Sequence, residues 1–161
     1  MSECFMCNIV KKPASALPLF ISELASSRVI LNPNQLFKGR TFVISKKHAT
    51  ELSQLRDDER RQFIEEMAYV AEALEKVFNL DKKNYTLLGN VAPHLHWHLI
   101  PRYKDDPYWG APSIINPERS SPTKSTRNAS KRFNAISKIT DVLASPVHAW
   151  HYACYEDRTE G

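Results

Sequence analysis

The segment Pro93-His94-Leu95-His96-Trp97-His98, continued by Leu99-Ile100-Pro101, sets three imidazoles at every second position. Strand side chains alternate between faces, so histidines at 94, 96 and 98 share one face while Leu95, Trp97 and Leu99 share the other. A helix turns about 200° for every two residues and would scatter the rings. Imidazole titrates near neutral pH. Such a row can therefore ligate a metal through neutral nitrogens, or supply a nucleophile and a general acid. A strand with satisfied surface histidines is the bland alternative, and repetition at period two speaks against it. Cys4-x-x-Cys7 is the second constellation. It is half of a zinc site, because tetrahedral zinc takes four sulfur or nitrogen ligands; two unbound cysteines packed near the start of the fold are the alternative. With Cys154 the cysteines number three, an odd count that argues against a disulfide framework.

These residues need a scaffold. Residues 19–24 and 28–32 read as two short strands around Ala25, Ser26 and Ser27, an antiparallel hairpin ended by Asn32-Pro33-Asn34. Residues 40–45 alternate Thr41, Val43 and Ser45 against Phe42 and Ile44, predicting a third strand after Gly39. The clearest helix spans Asp57 to Phe78, where Phe63, Met67, Val70, Leu74 and Val77 recur at spacings of 4, 3, 4 and 3. Asp57 and Asp58 suit its positive N-terminal end. Tyr85 to Leu88 is expected as a fourth strand and His94 to Tyr103 as a fifth, with Pro101 placing that strand's far end at an unpaired edge. Pro107, Pro112, Pro117 and Pro122 then mark an extended loop, and a weaker helix is expected over residues 128–144. The order predicts an α+β domain: an antiparallel five-stranded sheet with one long helix and a C-terminal helical tail.

The chain's 161 residues suffice for a core without disulfide support. No apolar run approaches the roughly 20 residues of a membrane helix, and Met1 to Cys7 shows no export signal, so a cytoplasmic location is expected. Six basic residues, Arg119, Lys124, Arg127, Lys131, Arg132 and Lys138, supply the excess behind a net charge of +4. Positive charge thus belongs to the tail and says little about the ligand of the rest.

The run His94-Leu95-His96-Trp97-His98-Leu99-Ile100 resembles the histidine triad (HIT) superfamily, whose signature is His-x-His-x-His followed by apolar residues on a central strand. Pro101-Arg102-Tyr103 through Asp105-Asp106-Pro107 is similar to a bacterial branch of it. Val29-Ile30-Leu31-Asn32 and Phe42-Val43-Ile44-Ser45-Lys46-Lys47-His48 look like its nucleoside-binding strands. The resemblance implies a nucleotide hydrolase or nucleotidyl transferase acting at an α-phosphate. Diadenosine polyphosphates, nucleoside phosphoramidates and adenylylated adducts are the implied substrates. His96 matches the nucleophile, which forms a covalent nucleotidyl-imidazole, and His98 the residue that contacts phosphate and supports the leaving group. Asn32 matches the residue that binds ribose. Where family members carry Gly-His, this chain has Gly39-Arg40, so a fourth histidine is missing and a cation stands there, either to grip phosphate or to face solvent. Where many have a serine or threonine before the triad, this chain has Gly89-Asn90-Val91-Ala92-Pro93, in which Asn90 is the only side chain able to bind phosphate or a leaving group. Zinc-containing members further imply that Cys4, Cys7, His48 and His94 hold a structural zinc. No organic cofactor is implied, and the family suggests a homodimer.

The resemblance covers residues 4 to 110. Residues 1–116 are accordingly expected as the HIT-like nucleotide-binding catalytic domain and 117–161 as the basic tail. A charge run is usually a solvated face, so nucleic-acid binding is not expected of the tail, nor is membrane contact. His148, His151 and Cys154 recur every three residues there, and Trp109 beyond the triad strand is either a packed aromatic or the border of a base site. Two other function classes fit the sequence: a hydrolase with all three histidines on a catalytic metal, and a non-enzymatic nucleotide or nucleic-acid binding module. Chelation separates the first from covalent catalysis, and salt dependence the second.

Overall fold

The computed structural model describes residues 4–106, 109–111 and 129–145. The four prolines from 107 to 122 except their surroundings at 109–111, the basic residues Arg119, Lys124 and Arg127, and His148, His151 and Cys154 lie outside them, as do the side chains of Lys131, Arg132 and Phe133. The elements are α1 (Phe5–Lys11), β1 (Phe20–Glu23), β2 (Ser27–Leu31), β3 (Thr41–Ser45), α2 (Asp57–Phe78), β4 (Lys82–Leu87), β5 (His96–Arg102) and α3 (Ala129–Leu143). The strands form one five-stranded antiparallel sheet in the order β1-β2-β3-β5-β4, the expected α+β architecture.

Alternation along the strands divides the residues between two unequal clusters. Val29, Leu31, Val43 and Leu99 face the main core with Phe63, Val70, Ala73 and Leu74 of α2. Each such fully buried side chain contributes roughly 1.5–3 kcal/mol. On α2, Asp57, Asp58 and Glu59 occupy the first turn and the Glu59 carboxylate accepts the Arg56 N–H at 3.0 Å. Asn79, at φ 45°, ends it in the left-handed conformation. Glu66 lies buried on the same helix and accepts the Ser26 N–H at 2.7 Å and the Ser27 hydroxyl, fastening the β1–β2 turn to α2. α3 is seated on α2 and β1: Ile139 is buried in the main core, Tyr69 donates to the Leu143 carbonyl at 2.6 Å and Thr140 to that of Ile21 at 3.0 Å. The opposite face carries a smaller cluster of Met6, Ile30 and Ile44, with Ile9, Val10 and Phe42 against it.

Three elements depart from the sequence reading. Helix α1 was not foreseen; its seven residues hold Met6, Ile9 and Val10 at one-turn spacing, its N-terminus has no side-chain cap, and packing on the sheet together with Arg28, which donates to the Ile9 carbonyl at 2.8 Å and the Lys12 carbonyl at 2.5 Å, holds it. β4 starts at Lys82 rather than Tyr85, because pairing of Lys82, Lys83 and Asn84 with Arg102, Pro101 and Ile100 recruits polar edge residues that have no apolar alternation. β5 starts at His96, two residues late, after a turn closed by the His94 N–H on the Ala92 carbonyl at 2.8 Å. Pro101 pairs with Lys83 on one side, while the ladder with β3 ends at Leu99 opposite Thr41, so the open edge expected there exists on the β3 side alone.

The connection from β2 to β3 turns at Gly39, whose φ is +86° and whose missing side chain leaves room for Phe78: a Cβ would lie 2.7 Å from that ring. Gly39→Ala should lower stability by about 1–3 kcal/mol through left-handed strain and displacement of Phe78. Chemical denaturation of both proteins measures this, and an unchanged midpoint would mean the turn is not constrained.

Candidate active site and metal centre

β3 pairs with β5 so that Phe42 lies opposite His98 and Ile44 opposite His96. Cross-strand partners share a face, so His96 and His98 lie on the side of the small cluster, and Trp97 and Leu99 on the side of α2. The Phe42 ring meets both imidazoles edge-on, at 5.6 Å from His96 and 4.7 Å from His98 between centroids. His96 is 4% exposed and His98 8%. In such surroundings each ring nitrogen's role follows from its neighbour.

His96 Nδ1 lies 2.6 Å from the His94 carbonyl oxygen. A carbonyl only accepts, so Nδ1 bears the proton and Nε2 keeps its lone pair. Arg40 Nη2 lies 2.7 Å from His98 Nδ1, and a guanidinium only donates, so His98 carries its proton on Nε2. That N–H points to His96 Nε2, 3.1 Å away. The result is one directed chain, Arg40 to His98 to His96 to the His94 carbonyl. Burial first, then the charges of Arg40 and His96, pull the His98 pKa down to about 3. Burial also lowers that of His96. Both rings are neutral at neutral pH.

The His94 ring has different partners. Its Nε2 is 2.8 Å from the Ser45 carbonyl, which fixes the proton there and leaves Nδ1 as a free ligand atom. Cys4 Sγ is 3.5 Å from that Nδ1, Cys7 Sγ 3.6 Å and His48 Nδ1 3.2 Å, while Cys7 Sγ is 3.3 Å from His48 Nδ1. Zinc with bonds of about 2.3 Å to sulfur and about 2.05 Å to nitrogen sets tetrahedral edges of roughly 3.5 Å between sulfur and nitrogen and roughly 3.3 Å between nitrogens. The four residues fit such an ion. Cys4 stands at the N-cap of α1, so the cluster joins that helix to the turn before β5. The three histidines therefore do not converge on one metal.

Arg40 is buried beside His98, as described, at the entrance to β3. Asn32 is buried at the end of β2; its Oδ1 accepts the Asn34 N–H at 2.7 Å and its own N–H donates to the Arg40 carbonyl at 2.9 Å. Asn90 is exposed on the loop between β4 and β5, and Trp109 is exposed after β5. Sequence reasoning missed Gln35 and Phe42. Gln35 Nε2 donates to the carbonyls of Asn32 at 2.7 Å and Arg40 at 2.9 Å, and its Oε1 accepts the Gly39 N–H at 2.8 Å, closing the loop that carries both residues. A loop glutamine gives no signal of this, whereas Phe42 could have been placed from the strand alternation.

The HIT domain model matches residues 19–105, and the chain belongs to that family. An uncharacterized HIT-like protein of Methanocaldococcus jannaschii is 31% identical over 107 residues, 64% of this chain and 81% of that one. An adenylylsulfatase of Arabidopsis thaliana is 26% identical over 118 residues, 70% of this chain and 59% of the relative. An adenosine 5′-monophosphoramidase of Schizosaccharomyces pombe is 27% identical over 104 residues, 64% and 77%. Among solved structures, a histidine triad protein of Bradyrhizobium japonicum superimposes with a TM-score of 0.68 at 25% identity, covering 77% of this chain and 89% of that one. A zinc-bound histidine triad family protein of Mycobacterium smegmatis does so at 0.62 and 22%, covering 88% and 94%.

Because the folded pKa of His98 is about 3, below its unfolded value near 6.5, the unfolded chain takes up a proton between those limits that the folded chain refuses. His98 should thus erode stability as pH falls from about 6.5 toward 3 and cost nothing above. Nitrogen NMR of the imidazoles checks the cause: His98 should stay neutral at pH 5, and its pKa should rise in Arg40→Gln. A ring that titrates near 6.5 would refute the assignment.

Proposed function

We propose that the chain is a nucleotide hydrolase or nucleotidyl transferase that works at an α-phosphate through a covalent nucleotidyl-His96 intermediate. One observation carries this reading: the hydrogen bond from His96 Nδ1 to the His94 carbonyl at 2.6 Å, which leaves Nε2 unprotonated and in a fixed direction. Such an imidazole attacks phosphorus without first losing a proton, so one difficult displacement becomes two easier ones. The His98 N–H, now 3.1 Å from that nitrogen, is within reach of an oxygen on the attacked phosphate. Family membership supports the chemistry, as do the printed activities of two relatives, one an adenylylsulfatase and one a monophosphoramidase. Asn32, at the end of β2, is our candidate for the ribose contact, and exposed Asn90 for a contact to the leaving group. A homodimer, which the family resemblance implies, belongs to the same reading, with exposed Tyr85 placing an apolar ring on the edge strand β4.

We further propose that Cys4, Cys7, His48 and His94 hold a structural zinc. The fit of their ligand atoms to a tetrahedron supports it. Bound there, the ion would supply a cross-link between α1 and the turn before β5, and no chemistry on the nucleotide.

Mass spectrometry of the protein quenched during turnover of a dinucleotide panel should show a nucleoside monophosphate adduct, absent in His96→Asn. That variant should lose at least about 10³-fold in kcat/KM, as expected for a covalent nucleophile. Turnover that survives the substitution would reject the covalent route. For the metal, elemental analysis should find one zinc per chain and much less in Cys7→Ser, with the melting temperature lower by roughly 3–8 °C. Equal zinc content in both proteins would reject the ligand set.

A further inference from the structure

Arg40 carries a charge that the described fold leaves unanswered. It is 8% exposed at the entrance to β3. Its Nη2 donates to His98 at 2.7 Å, and its Nε is buried with no hydrogen-bond partner. No carboxylate among the described residues pairs with it; its other neighbour is the Phe42 ring, 5.7 Å from the guanidinium carbon. Burial lowers its pKa only to about 10, so it remains a cation at neutral pH. A buried cation without an anion is costly, and a guanidinium is shaped to receive an oxyanion.

We propose that Arg40 is a specificity-determining residue that selects nucleotides whose α-phosphate leaves an oxyanion, a phosphate or sulfate, over those whose α-phosphate is bonded to an amine nitrogen. The inference rests on the nucleotidyl-His96 reading and names its substrate class. Attack by His96 Nε2 forms an N–P bond while the P–O bond breaks, and the electron pair departs on oxygen. The imidazolium so formed keeps its Nδ1 proton on the His94 carbonyl. Water then forms a new P–O bond, the N–P pair returns to His96, one proton stays on the monophosphate and the other passes to solvent. No group need protonate the leaving oxyanion; it needs only neutralisation, which Arg40 provides. An amine must gain a whole proton to leave. The pair beside the nucleophile cannot spare one, since Arg40 holds His98 in the tautomer with a single proton, on Nε2, whose loss would leave an imidazolate.

The test measures kcat/KM of the full chain on adenosine 5′-phosphosulfate, diadenosine tetraphosphate and adenosine 5′-phosphoramidate, in the native protein, Arg40→Gln, Arg40→Lys and Arg40→His. The native protein should favour the two oxygen-linked substrates over the phosphoramidate by more than about tenfold. Arg40→Lys, which keeps the charge, should retain that ratio within about threefold. Arg40→Gln should lower it by at least about tenfold, with Arg40→His as the second neutral test if the glutamine variant fails to fold. A purely structural role would instead depress all three substrates together. A native preference for the phosphoramidate, or a ratio indifferent to Arg40, overturns the inference while a His96 adduct still forms. If no substrate yields an adduct, the reading on which it rests falls with it.

Discussion

The pairing of β3 with β5 is the constraint on which the site depends. With Phe42 opposite His98 and Ile44 opposite His96, the imidazoles occupy the face of the small cluster, and Trp97 and Leu99 turn toward α2. A slip of one residue would drive the histidines into the main core and expose the tryptophan. The apolar residues between the histidines therefore do more than fill the core. They set the register to which the histidine face is bound, and the same register brings Arg40, one residue before β3, against His98.

Direction follows from what stands at the two ends of the histidine row. A guanidinium can only donate and a backbone carbonyl can only accept, so the rings between them have one consistent arrangement of protons. The bare lone pair on His96 Nε2 is thus a consequence of the polarity of the chain, not of a neighbouring base. This requires a charge beside two nearly buried rings, and burial first, with that charge second, keeps His98 neutral far below its ordinary range.

What could be read from sequence follows the strength of periodicity. α2 was legible to the residue, because five apolar positions repeat over its full length, and β2 and β3 to within a residue, because Gly39 and Asn32 punctuate alternating strands. α1 is too short for a stripe to outweigh chance, and the start of β4 is polar, so both depend on partners distant in the chain. At the site, period two announced the row His94, His96 and His98, and Cys4-x-x-Cys7 announced two of the four residues that the fold brings together with His48 and His94. The proposed division of labour among the histidines was visible only through the family resemblance. Gln35 was not visible at all, because its role is to satisfy three backbone groups that the fold brings around it.

His94 touches both clusters. Its ring, held by the Ser45 carbonyl at 2.8 Å, faces the cysteines, while its backbone oxygen orients His96. The two centres are therefore joined by one residue's backbone, with no side chain shared between them. Replacing the His94 ring removes a nitrogen from the cysteine cluster and keeps the carbonyl, so it tests the anchoring of α1 more than the tautomer of His96. What controls that tautomer is the turn closed between Ala92 and His94, together with the ladder bonds that hold Leu95 to Ala49 at 2.7 Å and to Ser45 at 3.0 Å. Those bonds are made by backbone atoms, so the position of the carbonyl that orients His96 is secured by the main chain of the fold.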